Sequence, residues 1–385
     1  MRIISLRENL KHGLSMVGGI AGRNPNLPIL NNVLIKTENK NIKLITTDLE
    51  IGIVSTIRGK MEKEGVFTVN AKTISDYVNL LPNKKIEIDQ QGENLEIKCE
   101  NYKTKIKGQV SDDFPLIPKV EKENKIKIKT EELKKALNQV VFSVASGDSR
   151  IELSGVLFSF DKEELTLAAT DSYRLAEKKI SIKSEDLNEI NKKTEDENKK
   201  IIVPSKAIQE LLKIISSSRE KEEHQEGEKE TEVYISENQI LFINGSTELV
   251  SRLIEGQYPD YKQIIPDKTK TSVTLDKTEF IRAVKTSSLF SKKGVNDINL
   301  DFPEGKNQVI ISSASGQTGE NIVEIDAQKK GKDNSVVINY QYLLDGLKTI
   351  EEDFVKLEVV DNNTPCLLKP VKNSDYIYII MTIKQ

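Results

Sequence analysis

Residues 165–176 read LTLAATDSYRLA. Leu165, Leu167, Ala168 and Ala169 are apolar or small, with Thr166 between them, the pattern of a buried strand. Thr170-Asp171-Ser172 ends the run with three short polar side chains that favour turns. Tyr173, Arg174, Leu175 and Ala176 then resume an extended pattern. A turn held by a rigid strand therefore offers an aromatic ring, a guanidinium and an apolar side chain, one way to build a docking site for a short peptide. The plainer reading of the same residues is a hairpin corner with Leu175 in the core.

The turn is one of a pair. TTDLE at 46–50, within IKLITTDLEIGIVSTI, stands in the same place of an earlier copy. Three segments begin with a strand and continue as an amphipathic helix: RIISLRENLKHGLSMVGGIAG from Arg2, IKIKTEELKKALNQVVFSVAS from Ile126 and SVTLDKTEFIRAVKTSSLFSKK from Ser272. In the second, Thr130 is placed to cap the helix, and Leu133, Ala136, Leu137, Val140 and Val141 share one face. In the third, Phe280, Ala283 and Val284 do the same.

A second unit repeats as FTVNAKTISDYVNLLP, IIVPSKAIQELLKIIS and VVINYQYLLDGLKTI, each a strand, a polar cap (Asn70, Ser205, Asn339) and a short helix. Alternating strands follow every helix. The chain thus reads as six modules in three domains, 1–120, 126–266 and 271–385, joined by the polar stretches 119–125 and 266–271. The fold class is α+β, with helices on one face of antiparallel sheets. Residues 183–200 and 216–231, almost wholly polar or charged, are expected to be long loops.

Composition excludes much. The 385 residues are 37% hydrophobic and 30% charged, enough apolar content for real cores. MRIISLRENL has no signal-peptide core, and no apolar run approaches the roughly 18 residues that span a bilayer, so a cytoplasmic protein without membrane partners is expected. Cys99 and Cys366 match no metal or redox spacing, and the chain holds no phosphate loop, HExxH or GxSxG. No cofactor, metal or catalytic residue is expected. Net charge is −3, yet the six helical stretches carry thirteen basic against eight acidic residues. That segregation suits helices facing a phosphate backbone, with Lys72, Lys134, Lys206 and Lys285 as candidate contacts. Nothing resembles an element that reads bases.

ATDSYRLA, GRNPNLPIL at 22–30, TDLE at 47–50, SDDFP at 111–115, YPDYKQIIP at 258–266, INYQYLLDGL at 338–347 and YIIMTIKQ at 378–385 resemble, in order and position, segments of the bacterial DNA polymerase III beta subunit, the replication sliding clamp. The resemblance runs the full length. It implies a DNA-clamp fold of three similar domains, each of two β-α-β-β-β modules, with helices inside and sheets outside a ring formed by a homodimer. It implies a non-catalytic processivity factor that encircles duplex DNA without sequence specificity. Partners would be the polymerase III catalytic subunit, the clamp loader and other proteins with a clamp-binding motif.

Carried over residue by residue, a partner-peptide pocket between the second and third domains would comprise Thr170, Ser172, Tyr173, Arg174, Leu175, Pro259, Ile264, Asn339, Tyr342, Ile379, Met381 and Ile383. Leu175, Ile264, Ile379 and Met381 would take an apolar anchor, and Tyr173, Arg174 and Asn339 would bond the peptide backbone. Arg23 and Arg150 resemble DNA contacts; Ile106, Leu289 and Phe290 are candidates for the dimer junction. Ser172 stands where the family often has Gly, Tyr173 where it has His, Gln263 where it has Arg and Thr382 where it has Pro, differences that bear on peptide preference.

Two other readings stay open on the residues alone. A hydrolase or transferase built on the repeated modules would need a convergent acid/base or nucleophile set. A scaffold would bind peptides through the 170–175 turn without encircling DNA.

Overall fold

The computed structural model describes residues 1–22, 27–109, 111–122, 125–147, 149–161, 163–182, 199–217, 229–266 and 268–384. Among them are six α-helices: α1 Arg7–Val17, α2 Ala71–Leu80, α3 Thr130–Val140, α4 Ser205–Ser217, α5 Lys277–Ser288 and α6 Tyr340–Thr349. α1, α3 and α5 end sooner than the apolar pattern alone suggests, whereas α4 runs through Ser217, just past its expected end. Asn70 caps α2 by accepting from the Thr73 amide at 2.9 Å, and Asn339 caps α6 through the Gln341 amide at 2.8 Å. Thr130 differs from its expected role as a cap. It is already the first helical residue, and its buried hydroxyl meets that of Thr231 at 3.0 Å and the Asn244 amide at 3.3 Å.

The chain divides into two compact units. One holds residues 1–134 and 206–253; the other holds 135–182, 199–205 and 254–384. The division therefore runs through the second repeat rather than between repeats. The cause is strand pairing. Thr247–Arg252 of the second repeat pairs antiparallel with Ile51–Ile57 of the first, so the first unit carries one continuous thirteen-stranded sheet. Arg174–Ser181, from the other half of the second repeat, pairs with Tyr376–Ile380 of the third, giving the second unit a nine-stranded sheet beside a four-stranded one. Each half of the middle repeat is welded by backbone hydrogen bonds to a different neighbour.

Every pairing among the described residues is antiparallel; Ile126–Lys129 and Asp297–Phe302 alternate buried with more exposed positions, whereas Gly155–Phe160 and Glu164–Thr170 are buried almost throughout. Residues 119–122 and 125 of the polar stretch are free of helix and strand, and the stretch's start is anchored. Val120 packs with Tyr234, Leu241 and Val250, and Lys122 pairs with Glu248 at 2.8 Å. Of the expected loops, residues 183–198 and 218–228 lie outside the described residues; their flanks belong to the strands Lys199–Pro204 and Glu230–Ile235 and to α4.

Candidate functional site

The Thr170 turn is built by local hydrogen bonds. The Thr170 hydroxyl donates to the Arg174 carbonyl at 2.6 Å and accepts from the Ser172 amide at 3.1 Å. Asp171 Oδ1 accepts from the amides of Tyr173 at 2.9 Å and Arg174 at 3.0 Å. These bonds hold Ser172 at φ +77°, in the left-handed region. The first repeat makes the same turn with other side chains. Thr47 Oγ1 bonds the Ile51 carbonyl at 2.9 Å and the Leu49 amide at 3.1 Å, Asp48 Oδ1 accepts from Glu50 and Ile51, and Leu49 sits at φ +78°. The Thr-Asp pair is therefore the structural device, and residues 172–175 are what distinguishes the second copy.

Arg174 is expected to bond a peptide, but the structure commits its guanidinium to the protein. Nε donates to Asp171 Oδ2 at 2.9 Å, one terminal nitrogen to Asp345 Oδ2 at 2.8 Å and the other to the Phe142 carbonyl at 2.9 Å. Its carbon lies 4.7 Å from the ring centre of Tyr342 and 5.4 Å from that of Phe142. Burial disfavours the charge, but Tyr378, Asp345 and Asp171 more than offset it and hold the guanidinium's pKa above its ordinary value. The side chain is only 13% exposed, so it clamps the turn to α6 rather than reaching outward.

Leu175 and Ile379 differ from their expected role in the same way. Both are fully buried, in one cluster with Leu157, Ala168, Ile202, Tyr261 and Leu367; Ile264 and Tyr258 pack against that cluster half-buried. They form the floor beneath the site, not its surface. Tyr261 is tied there by a 2.6 Å bond to the buried Glu177; burial, then Glu177, push its phenol well above the usual range.

What remains accessible is Tyr173, 62% exposed, with Ser172 exposed and Pro259, Ile264, Tyr342, Met381 and Ile383 half-buried. The opposite wall is fixed by backbone bonds: the Met381 amide donates to the Tyr173 carbonyl at 2.9 Å and the Ile383 amide to the Val337 carbonyl at 2.7 Å. Asn339 spends its side-chain oxygen on the α6 cap. The structure adds a residue expected elsewhere. Arg150, half-exposed, donates to the Ser172 hydroxyl at 3.3 Å and to Glu152 at 3.0 Å, which places it beside the turn. Sequence reasoning missed Phe142, Asp345 and Asp171 as partners of Arg174; only the Asp171 spacing carried a signal, as the first side chain of an Asx turn.

Of the helix lysines, Lys72 and Lys285 are exposed and Lys134 half-buried, and none of the three pairs with a carboxylate among the described residues. Lys206 forms an ion pair with Asp48 that removes part of its charge from α4. Arg23 lies outside the described residues. Ile106 is half-buried on the strand Tyr102–Gln109, Leu289 is 70% exposed just after α5, and Phe290 is half-buried beside Gly319. Among the described residues, no three His, Cys, Asp or Glu are grouped to hold a metal ion, and no helix is long and apolar enough to cross a membrane.

Paired α+β modules with fused antiparallel sheets define the DNA-clamp fold. Solved structures share it end to end: a putative DNA polymerase III beta subunit from Eubacterium rectale has a TM-score of 0.88 at 29% identity over 100% of both chains. The DNA polymerase sliding clamp from Bacillus subtilis has 0.89 at 26%, covering 100% of this chain and 99% of that one. The beta sliding clamp of Staphylococcus aureus is 30% identical over 369 residues, 93% of this chain and 92% of the relative. Models of the N-terminal, central and C-terminal domains of the DNA polymerase III beta subunit match residues 1–118, 127–260 and 262–384. The chain belongs to the DNA polymerase III beta subunit family, the non-catalytic sliding clamps.

Proposed function

We propose that this chain closes with a second copy into a ring around duplex DNA and tethers the replicative polymerase, without sequence specificity and without catalysis. Tethering raises the polymerase's effective concentration at the primer end and needs no tight DNA contact. The observation that carries the reading is the end-to-end match of fold and sequence to sliding clamps. The three matched segments support domains at 1–120, 126–266 and 271–385, and the charged heads of Lys72, Lys134 and Lys285 are the DNA contacts, with Arg23 and part of Lys206. Ile106, Leu289 and Phe290 lie at the junctions between copies. The ring works in the cytoplasm, with polymerase III, the clamp loader and other motif-bearing proteins as partners.

Those partners dock by a short peptide at the Thr170 turn. Tyr173, Ile264, Tyr342, Met381 and Ile383 form the contact surface, with Ser172, Pro259 and Asn339 at its rim. Leu175 and Ile379 make the floor, and Arg174 and Thr170 hold the turn in shape. What supports this is the convergence of an exposed ring, half-buried apolar side chains and a rigid corner in one place.

Primer extension by a bacterial polymerase III core with clamp loader and ATP tests the reading. Adding this chain should lengthen the products of a single binding event many-fold, and Tyr173→Ala should abolish the effect without unfolding the protein. Product lengths unchanged by the wild-type chain would overturn it.

A further inference from the structure

We propose that Met381 is an oxidation switch on the docking surface: hydrogen peroxide converts its thioether to the sulfoxide, partner peptides then dock less tightly, and reduction restores them. The inference rests on the docking reading above and adds a modification site to it.

The chain holds few groups that a two-electron oxidant attacks. It has four methionines, two cysteines and no tryptophan. Cys99 and Cys366 are both buried. Burial, the largest cause in each case, raises both thiols above their ordinary pKa, that of Cys366 to about 12. The thiolate is the reactive form, so neither cysteine competes for peroxide at neutral pH. Met1 and Met16 are buried as well. That leaves Met61 and Met381, both half-buried. Met61 lies on the short strand Lys60–Lys63, paired with Arg2–Leu6, and belongs to the first unit. Met381 follows the strand Tyr376–Ile380 of the second unit and stands on the docking surface itself.

The fold does not require sulfur at that place. The Met381 amide fixes the corner by donating to the Tyr173 carbonyl at 2.9 Å. In the first repeat the Arg252 amide makes the equivalent bond to the Glu50 carbonyl at 3.0 Å, so the same corner forms with another side chain. The thioether therefore serves the surface, where a soft, adaptable side chain suits an apolar anchor.

The chemistry is a single oxygen transfer. The sulfur lone pair attacks one peroxide oxygen, the O–O bond breaks as the S–O bond forms, and the second oxygen takes up the released proton and leaves as water. Sulfur loses two electrons and the peroxide gains them. The product sets a polar, chiral S–O group where the peptide anchor packs. Desolvating that oxygen without a donor opposes docking. A dithiol reductase reverses the step, releasing the oxygen as water while its two thiols become a disulfide.

Graded treatment with hydrogen peroxide tests the switch. The probe is a fluorescent peptide with a Leu-Phe anchor and neither Met nor Cys. Peptide mass spectrometry follows the gain of one oxygen at Met381 and at Met61, circular dichroism confirms folding, and anisotropy gives the affinity. In the wild type and in Met61→Leu, affinity should fall about tenfold or more in step with oxidation of Met381, the order expected when one polar group is desolvated unpaired. Methionine sulfoxide reductases with dithiothreitol should restore it. Met381→Leu, whatever its starting affinity, should keep that affinity through the same treatment. Four results would each overturn the switch: an unchanged affinity once Met381 is oxidised, a loss that tracks Met61 instead, an equal loss in Met381→Leu, or a Met381 that stays reduced while Met61 is oxidised. An untreated wild type that does not bind the peptide would overturn the docking reading beneath it.

Discussion

Replacing Arg174 with alanine removes a side chain that ties the Thr170 turn to α6. Three bonds go: to Asp171 Oδ2, to Asp345 Oδ2 and to the Phe142 carbonyl. A hydrogen bond to a charged group contributes about 1.5–3 kcal/mol. The Asp345 side chain is 37% exposed, so solvent screening reduces its share to about 1 kcal/mol or less. Asp171 is 15% exposed and loses its cation, and the Phe142 carbonyl loses a donor, which together cost about 2–3 kcal/mol. The loss is then about 3–4 kcal/mol. For a unit of this size, calorimetry should record a fall of about 6–16 °C in the transition of the second unit. Arg174→Lys, which keeps the charge but not the fork, should recover less than half of it. Affinity for a fluorescent peptide with a Leu-Phe anchor should fall about tenfold or more at a temperature where the variant is folded. A midpoint within about 2 °C of wild type would refute the clamp role of Arg174, and unchanged peptide affinity would refute its role in shaping the site.

Three more outcomes follow from the same structure. Gly346→Ala in α6 would drive a Cβ into the ring of Tyr378, so overpacking should destabilise the second unit by about 1–3 kcal/mol in urea titrations; an unshifted midpoint would contradict that packing. Burial works against the charge of Glu358, but its bonds to Lys356 at 2.6 Å and Lys369 at 2.8 Å hold its pKa below the usual carboxylate value. The stability it contributes is therefore present above its unfolded pKa of about 4.3 and lost as pH falls through the lower folded value. Glu358→Gln should lower the thermal midpoint at pH 7, and the gap to wild type should narrow as pH drops below about 4; a gap independent of pH would contradict the assignment. Lys72→Gln with Lys134→Gln and Lys285→Gln should make the salt dependence of duplex binding shallower by roughly 0.9 for each phosphate no longer neutralised, with an unchanged thermal midpoint; an unaltered slope would remove these residues from the DNA face.

The repeats, the helix starts and the equivalence of TTDLE with ATDSY were legible because they are local. A Thr hydroxyl and an Asx carboxylate make their bonds within four residues, and an Asn cap acts within three. What the sequence did not reveal depends on partners far along the chain. Arg174 reaches Asp345 across 171 residues and Phe142 across 32, so nothing near 174 marks it as inward-facing. A leucine beside such a turn reads equally as anchor or floor until Ile379, paired with it in register, closes over the same core. The unit boundary was hidden for a related reason. The pairing of Thr247–Arg252 with Ile51–Ile57 joins strands far apart in the chain, as the Ser55–Thr247 hydroxyl contact across 192 residues records. Arg150 is expected at DNA because it resembles a family position, and nothing in its own neighbourhood marks its bond to Ser172, 22 residues away.

The most direct test of the central claim is retention on DNA of defined topology. The chain, loaded on a nicked circular plasmid by a bacterial clamp loader with ATP, is separated from free protein by gel filtration in high salt. It should stay with the circle and leave within seconds to minutes once a restriction enzyme linearises it. Equal retention on circular and linear DNA, or loss from the intact circle in high salt, would contradict a ring held by topology.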